Sequence, residues 1–291
     1  MRWDDSHESP DLIDRRGDAP VREAGGIGNL LFLVPWLMRS RVGRIVLLIG
    51  LVVVGWQMWM GSRPDAQRAH GGSLQGTGAQ TETPEVHFVS FVLDDVQASW
   101  QAEFAREQRP YRHAKLVLYT DSTRTGCGLG DAATGPFYCP EDEQVYIDLG
   151  FFHELSGKLG ARGQFAQAYV IAHELGHHVQ KLLGISERVA GLRHTQGATG
   201  PSVRLELQAD CFAGIWAHSS AQRDLLESGD IESALSAAAA VGDDRLQRMA
   251  TGTVSPESWT HGSADERMRW FKRGFAQGTI AACDTFGATQ L

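Results

Sequence analysis

The motif formed by His173, Glu174 and His177 constrains this chain more than any other feature, because its spacing is that of one helical turn. Residues i and i+4 of an α-helix lie on the same face, so both imidazoles can point at one ion. Glu174 is rotated by about 100° from His173, close enough to act at that ion without ligating it. The apolar residues around the motif, without proline, favour a buried helix that ends near Gly184. The alternative interpretation is a surface helix that carries histidines.

A second pair of residues four apart lies downstream, where Glu206 and Asp210 begin an otherwise apolar helical run. A zinc ion held by two histidines of one helix needs a third protein ligand and leaves its fourth position for water. Glu206 can be that third ligand. Asp210 can accept the remaining ring N–H of a ligand histidine and so fix its tautomer. The alternative for this pair is a solvated acidic start of a helix.

The two segments together resemble the glutamate-ligand zincins, and more closely the bacterial neutral zinc metallopeptidases of the YpfJ type. The resemblance covers nearly everything from about residue 86 to the C-terminus, with two short patterns near the start. It implies a zinc peptidase-like fold with Zn²⁺ as cofactor, and it implies little about the substrate. The stretches that match are 15–17, 25–28, 135–140, 145–148, 165–174, 206–214 and 260–263.

The expected fold class is therefore α+β: a mainly helical zincin-like metallopeptidase domain with a small β-sheet, behind an N-terminal transmembrane helix. Residues 115–120 and 144–149 are apolar and β-rich, which predicts two strands. A peptide substrate could add its backbone to an edge strand, for which Val145 to Leu149 is the candidate. An ordinary core hairpin is the alternative.

Helices are predicted from capping signals and periodicity in three further places. Asp94 or Asp95 can cap a helix that ends before Pro110. An alanine-rich helix is expected over residues 231–250. Ser263 and Glu266 have capping-box spacing and predict a last helix that closes near Gly278.

The N-terminal third predicts a membrane anchor. Residues 45–62 form an uncharged run of 18 residues, about 27 Å of helix, which is just enough for a bilayer core. Three arginines precede this run and favour a cytoplasmic start. The resulting division is a cytoplasmic segment with its first 23 residues disordered, a transmembrane helix, a flexible linker and the metallopeptidase domain. Their bounds are 1–41, with a possible interfacial stretch at 25–38, then 42–62, 63–85 and 86–291.

This topology predicts a single-pass protein of the bacterial inner or cell membrane with its catalytic domain extracytoplasmic. Disulfides persist in that compartment, and the chain has four cysteines. Cys127 and Cys139 bracket a glycine-rich loop and are expected to pair, which leaves Cys211 for Cys283. The net charge of −8 and the lack of a long basic run argue against a nucleic-acid partner.

The ligand set predicts hydrolysis of peptide bonds by a zinc-activated water, with Glu174 as the general base. A tetrahedral oxyanion needs a donor besides the metal, for which His261 is the candidate and Tyr146 and Tyr169 are rivals. His178 points away from His177 and is expected to pack or to support the site. A non-catalytic, zinc-stabilised extracytoplasmic binding or assembly module is the alternative class. Hydrolysis of another amide or ester at the same metal is a second enzymatic possibility.

Overall fold

The structure is a computed structural model that describes residues 1–18, 83–190 and 197–291. It confirms the α+β class, with a mostly helical domain and small sheets. The strands are β1 (Leu12–Asp14), β2 (Lys115–Tyr119), β3 (Ser122–Thr125), β4 (Gly128–Asp131), β5 (Phe137–Cys139) and β6 (Gln144–Asp148). The α-helices are α1 (Pro84–Arg106), α2 (Gly150–Gly157), α3 (Gln164–Leu182), α4 (Ile185–Ala190), α5 (Pro201–Gln222), α6 (Asp230–Ala240), α7 (Asp243–Thr251) and α8 (Ala264–Gln277).

The larger sheet has the strand order β1–β2–β6–β5. The first three strands run parallel, and β5 pairs with β6 antiparallel. The predicted strands at 115–120 and 144–149 are confirmed as β2 and β6. The proposed edge position of Val145 to Leu149 is wrong, because β6 has a neighbour on both sides. The end strands of the described sheet are β1 and β5, and the three residues of β5 are too few to show a clear periodicity.

Helix α3, which carries the His173 motif, is the central element of the helical layer. It packs against α1, α5 and α6 and also contacts β5. Its C-terminus matches the prediction, since Leu183 is the cap and Gly184 follows with φ +69°. Nearly the whole motif helix is buried, so the surface-helix alternative is excluded.

Helix α5 lies unusually close to α8 because two glycines face each other's backbones. A Cβ placed on Gly214 would clash with the carbonyl oxygen of Phe271, and one placed on Gly274 would clash with that of Cys211. Gly176 on α3 lies similarly near Ala209, where an added Cβ would be 3.1 Å from its carbonyl oxygen. These contacts bring α3, α5 and α8 together at the level of the motif.

Two of the predicted helices have different bounds. The helix placed after Asp94 or Asp95 begins ten residues earlier, at Pro84, because proline is favoured at the first helical position. Asp95 sits inside that helix and accepts the indole N–H of Trp216 at 2.7 Å. The alanine-rich run divides at Gly242 into α6 and α7, because Gly242 is extended and caps α7. The capping box of Ser263 and Glu266 is confirmed.

The first 18 residues are not a separate disordered segment. Residues 1–18 belong to the same compact unit as residues 83–190 and 197–291. Leu12 pairs with Leu116 as β1 joins the sheet, and Asp94 binds Ser9 at 2.6 Å and His7 at 2.8 Å. Low apolar content predicted disorder, but the pairing of β1 with β2, the buried Met1 and the polar contacts of His7 and Ser9 hold this segment, so that prediction is wrong for residues 1–18.

The membrane-related predictions fall outside the described residues. The transmembrane helix at 42–62, the interfacial stretch at 25–38 and the linker up to residue 82 all lie there. The last linker residues, 84 and 85, belong to α1. Within the described part of the chain, no helix has the length and apolar character needed to cross a membrane.

Both predicted disulfides are present, Cys127–Cys139 and Cys211–Cys283. The first joins the end of β5 to the loop before β4. The second ties the C-terminal segment to α5, one residue after Asp210.

The contacts of Asp11 provide a test of the docked N-terminal segment. Its buried carboxylate accepts from Gln97 at 3.1 Å, His113 at 2.7 Å and Lys115 at 2.6 Å. Asp11→Ala should lower the free energy of unfolding by about 1–3 kcal/mol, because the buried Gln97 amide loses its acceptor. Denaturant unfolding measures the change, with the exposed Asp5→Ala as the matched control. Equal stability of the two variants would contradict the docking of residues 1–18.

Candidate active site

Two imidazoles and one carboxylate converge where α3 faces α5. The ring Nε2 of His173 lies 3.2 Å from one carboxylate oxygen of Glu206, and Nε2 of His177 lies 3.5 Å from the other. One ligand atom from each residue lies within 4.8 Å of the others. The structure therefore brings together the three predicted metal-ligating residues.

The spacing of these atoms fits a zinc ion. Ligand atoms at about 2.0–2.2 Å in a tetrahedral arrangement are roughly 3.3–3.5 Å from one another. The separations of 3.2 Å from Nε2 of His173 to one Glu206 oxygen and 3.5 Å from Nε2 of His177 to the other are close to that figure. Two nitrogens and one oxygen also form a donor set that zinc uses in hydrolytic sites. The residues present thus fit the metal without a large rearrangement.

Asp210 orients His173 by binding the ring nitrogen that faces away from Glu206. Its carboxylate is fully buried and lies 2.9 Å from Nδ1 of His173, which leaves Nε2 facing Glu206. Arg267 donates two hydrogen bonds to the same carboxylate, at 2.8 and 2.9 Å. Tyr169 donates a further short one. The predicted supporting position of Asp210 therefore agrees with the geometry, and four side chains share one buried network.

His177 has its own support from Gln180, three residues later on α3. The Nδ1 of His177 lies 2.9 Å from the Gln180 side-chain oxygen. The Gln180 amide in turn donates to the backbone oxygen of Leu205 at 2.7 Å and to Gln208 at 3.1 Å. The orientation of this second imidazole is thus fixed by residues on α5.

The charges around the two histidines stabilise a cation between them. Burial opposes the charged imidazole of His173, yet Asp210 and Glu206 outweigh it and raise its pKa to about 9. Burial would raise the pKa of Glu206, but the facing imidazoles hold it well below its usual value. Burial acts on Asp210 in the same way, and the positive charge of Arg267 keeps its pKa low. Both carboxylates therefore carry negative charge beside the ligand nitrogens.

Glu174 lies next to this centre in the wall of a cleft of about 620 Å³. The residue is 7% exposed. Among the described residues, none donates a hydrogen bond to its carboxylate, unlike those of Glu206 and Asp210. Because no described residue donates a hydrogen bond to it, this carboxylate can accept a hydrogen bond or a proton from a group that enters the cleft.

The cleft runs between the β5 edge and the helices. Residues 132–138, which lead into and form most of β5, line one side. His173 and His177 of α3 and Glu206 of α5 line the cleft at its centre, beside Glu174. Apolar side chains of Phe151, Leu159 and Leu246 line the remainder, so the cleft has a polar centre and an apolar surround. This arrangement is typical of a small-molecule or peptide site.

His261 also lines the cleft, as predicted, and Asp243 holds its loop. The Asp243 carboxylate accepts the backbone N–H groups of Thr260, His261 and Gly262 at 2.7–3.0 Å. Its other oxygen lies 3.2 Å from Nδ1 of His261. This hydrogen bond raises the pKa of His261, although burial opposes the charged form. The imidazole of His261, held at Nδ1 by Asp243, is thereby positioned in the cleft.

The two other candidates for the oxyanion donor already hydrogen-bond to carboxylates of the protein. Tyr146 donates to Asp142 at 2.7 Å, and Tyr169 donates to Asp210 behind the metal-ligating histidine. His178 is fully buried between Tyr138, at 3.0 Å, and the backbone oxygen of Arg112, at 2.7 Å. It therefore packs between elements, as the sequence indicated.

Sequence reasoning missed Arg267, Gln180 and Asp243. Arg267 is 3% exposed. The available signal was a charged residue one turn before Phe271, on the buried face of the last predicted helix. Gln180 follows His177 by three residues, which is a helical contact distance. Asp243 gave no signal, because its partners are backbone groups of a distant loop.

The comparisons with known proteins agree with this site. The family described as "Putative neutral zinc metallopeptidase" matches residues 1–286. YpfJ of Escherichia coli K12, described as an uncharacterized protein, is 46% identical over 99% of each chain. Mb2605 of Mycobacterium bovis and Rv2575 of Mycobacterium tuberculosis H37Rv, also described as uncharacterized, are each 44% identical over 68% of this chain and 69% of their own. No solved structure matches the chain. The chain therefore belongs to the family described as "Putative neutral zinc metallopeptidase".

Proposed function

We propose that the protein hydrolyses peptide bonds with zinc held by His173, His177 and Glu206 and with Glu174 as the general base. The observation that carries this proposal is the position of Glu174. Its carboxylate lies in the cleft beside the three converging ligands and accepts no hydrogen bond from the described residues. A structural zinc site has no need of such a base, so the geometry favours an enzyme over a binding module.

The chain's own residues divide the work of the reaction. When bound, zinc supplies Lewis acidity, which lowers the pKa of a water and polarises a carbonyl. Glu174 accepts a proton from the water as the water oxygen bonds to the carbonyl carbon. The same carboxyl group returns that proton to the amide nitrogen as the C–N bond breaks. The Asp210 and Gln180 contacts keep the two imidazoles oriented throughout.

His261 is proposed to donate a hydrogen bond to the oxyanion that develops on the carbonyl oxygen. Its loop is held by three backbone hydrogen bonds to Asp243, so the imidazole is positioned before substrate enters. Donors that are fixed in advance stabilise the transition state without reorganisation.

The β5 strand is the proposed backbone-binding edge for the substrate. It pairs only on its β6 side within the described sheet, and Phe137 and Tyr138 line the cleft. An extended peptide can add to such an edge through backbone hydrogen bonds. The Cys127–Cys139 disulfide fixes the end of this strand.

The proposed location of the domain is the extracytoplasmic side of the cell membrane, to which residues 42–62 attach it. The two disulfides support an oxidising compartment. The uncharged run at 45–62 supports the attachment.

The metal assignment is tested by Glu206→Ala in the purified protein. One zinc per chain is expected for the wild type, and zinc content after dialysis should fall to near zero in the variant, because two imidazoles alone bind weakly. Metal analysis measures this. The control is Glu187→Ala, an exposed residue of α4, which should retain zinc. Full zinc content in Glu206→Ala would remove Glu206 from the ligand set.

The general-base assignment is tested by Glu174→Gln. Turnover of a peptide library should fall by at least about 100-fold, because the amide cannot accept the proton. Zinc content and melting temperature should stay near the wild-type values, since Glu174 is not a ligand. Wild-type turnover in this variant would rule out the mechanism, and inactivity of both proteins across a broad library would favour the binding module.

The role of His261 is tested by His261→Ala against His153→Ala, which removes an exposed histidine of α2. The first variant should lose about 10²–10³-fold in kcat with little change in KM, as expected for the loss of one oxyanion donor. The second should retain activity. Steady-state kinetics measure both, and an unchanged kcat in His261→Ala would assign the oxyanion to another donor.

A further inference from the structure

His178 is fully buried directly after the metal-ligating His177, and both of its ring nitrogens have partners. Its Nε2 lies 2.7 Å from the backbone oxygen of Arg112. Because a carbonyl oxygen can only accept, this nitrogen carries the proton. Its Nδ1 lies 3.0 Å from the hydroxyl of Tyr138 and is an acceptor in the neutral ring, so Tyr138 donates to it. The imidazole is therefore fixed in one orientation between two separate segments of the chain.

Two tyrosine rings also hold this imidazole in place. Its ring centroid lies 5.8 Å from that of Tyr111 and 5.5 Å from that of Tyr138, with interplanar angles of 82° and 60°. Edge-to-face contacts of this kind stabilise buried rings. Tyr138 thus contacts His178 through its ring as well as through its hydroxyl.

Tyr138 belongs to β5 and faces the helical layer. Successive side chains of a strand point to opposite faces of the sheet. Phe137 stacks on Tyr146 with 5.1 Å between the ring centroids, and Cys139 packs in the same small cluster. Tyr138 packs instead against the main core, to which α3 contributes. This one side chain of β5 therefore connects the strand to the motif helix.

Few contacts determine where β5 lies relative to α3. Within the described residues, β5 pairs only with β6, and the disulfide at its last residue joins it to the loop before β4. Neither of these contacts reaches the helix that carries the metal-ligating histidines. Two hydrogen bonds do: that of Tyr138 to His178, and that of the Lys181 ammonium group to the backbone oxygen of Pro140 at 2.6 Å. These two hydrogen bonds form a clamp between α3 and β5.

The clamp lies close to the metal-ligating residues along α3. His178 follows His177 directly, and Lys181 lies one turn beyond it. A peptide that pairs with β5 must also place its scissile carbonyl at the metal. The distance between the strand edge and the ligands decides whether both contacts form at once. The clamp sets that distance.

We propose that His178 is a positioning residue, which through Tyr138 holds the β5 edge where a peptide paired with that edge also reaches the metal. The inference rests on the proposed function, in which β5 binds the substrate backbone. It assigns extended peptide segments as the substrates, because only these can pair with a strand edge. His178 itself does not touch the reacting atoms.

Two kinds of zinc-binding probe separate the strand from the metal site. Acetohydroxamic acid reaches the metal alone, whereas tetra-alanine peptides with a hydroxamate at either end can also pair with β5. In zinc-loaded, full-length Tyr138→Phe, the affinity for a peptide probe should fall by about 3–10-fold, as expected for the loss of one hydrogen bond. Its affinity for acetohydroxamic acid should not change. Titration calorimetry measures both.

Tyr119→Phe is the matched control. It removes a buried hydroxyl of β2 that has no hydrogen-bond partner among the described residues, so both affinities should stay at the wild-type value. His178→Asn places an amide oxygen near the position of Nδ1 and should retain most of the affinity for the peptide probe. His178→Leu removes the acceptor and should show the loss seen in Tyr138→Phe.

Unchanged affinity of Tyr138→Phe for the peptide probes would overturn the inference, and so would equal losses for all probes, which indicate a general structural defect. Wild-type protein that binds acetohydroxamic acid but gains nothing from the peptide portion would exclude β5 as the substrate edge. Failure of every probe to bind the wild type would refute the metal site and this inference together. Probe binding as expected without peptide hydrolysis would refute the proposed catalysis and leave the positioning role of His178 intact.

Discussion

The buried carboxylate of Asp210 is the interaction on which the arrangement of the site depends. It binds Arg267 of α8, Tyr169 and His173 of α3, and thereby links three helices at one point. Removing a charge of this kind from water is costly unless every lone pair is used. The paired guanidinium of Arg267 compensates that cost. The same carboxylate then fixes which nitrogen of His173 faces Glu206.

This network requires helices that approach each other closely. Gly214 and Gly274 allow the backbones of α5 and α8 to touch, so Arg267 can reach Asp210 across the interface. Gly176 does the same for α3 and α5, which sets the separation between His177 and Glu206. Small residues in the helix interfaces thus determine the spacing of the polar groups.

The chemistry of the site was largely predictable from sequence, whereas its support was not. Pairs of residues four apart placed His173, His177, Glu206 and Asp210, because helical periodicity is local. Arg267 and Asp243 act on partners that are distant in the chain, so periodicity could not assign them. Strand β1 was missed because it has only three residues, too few to show a strand periodicity, and its pairing partner β2 lies about 100 residues away in the chain. Residues 145–149 were wrongly expected to form an edge strand, because the local sequence does not show that β6 pairs with β2 on one side and with β5 on the other.

Residues 1–18 are part of the folded domain, with β1 paired to β2 in its larger sheet. The domain incorporates both flanks of segment 19–82, because Leu12 pairs with Leu116 on one flank and α1 packs against α3 on the other. The active site itself depends on none of this, because its ligands and their supports lie between residues 169 and 267.

The central claim is that one zinc ion lies between α3 and α5 beside Glu174. Diffraction from crystals of the zinc-loaded protein, collected on both sides of the zinc absorption edge, tests it most directly. The account predicts one anomalous peak per chain, about 2.0–2.2 Å from Nε2 of His173, Nε2 of His177 and a carboxylate oxygen of Glu206. A peak elsewhere, or one that Glu206 does not contact, would contradict it.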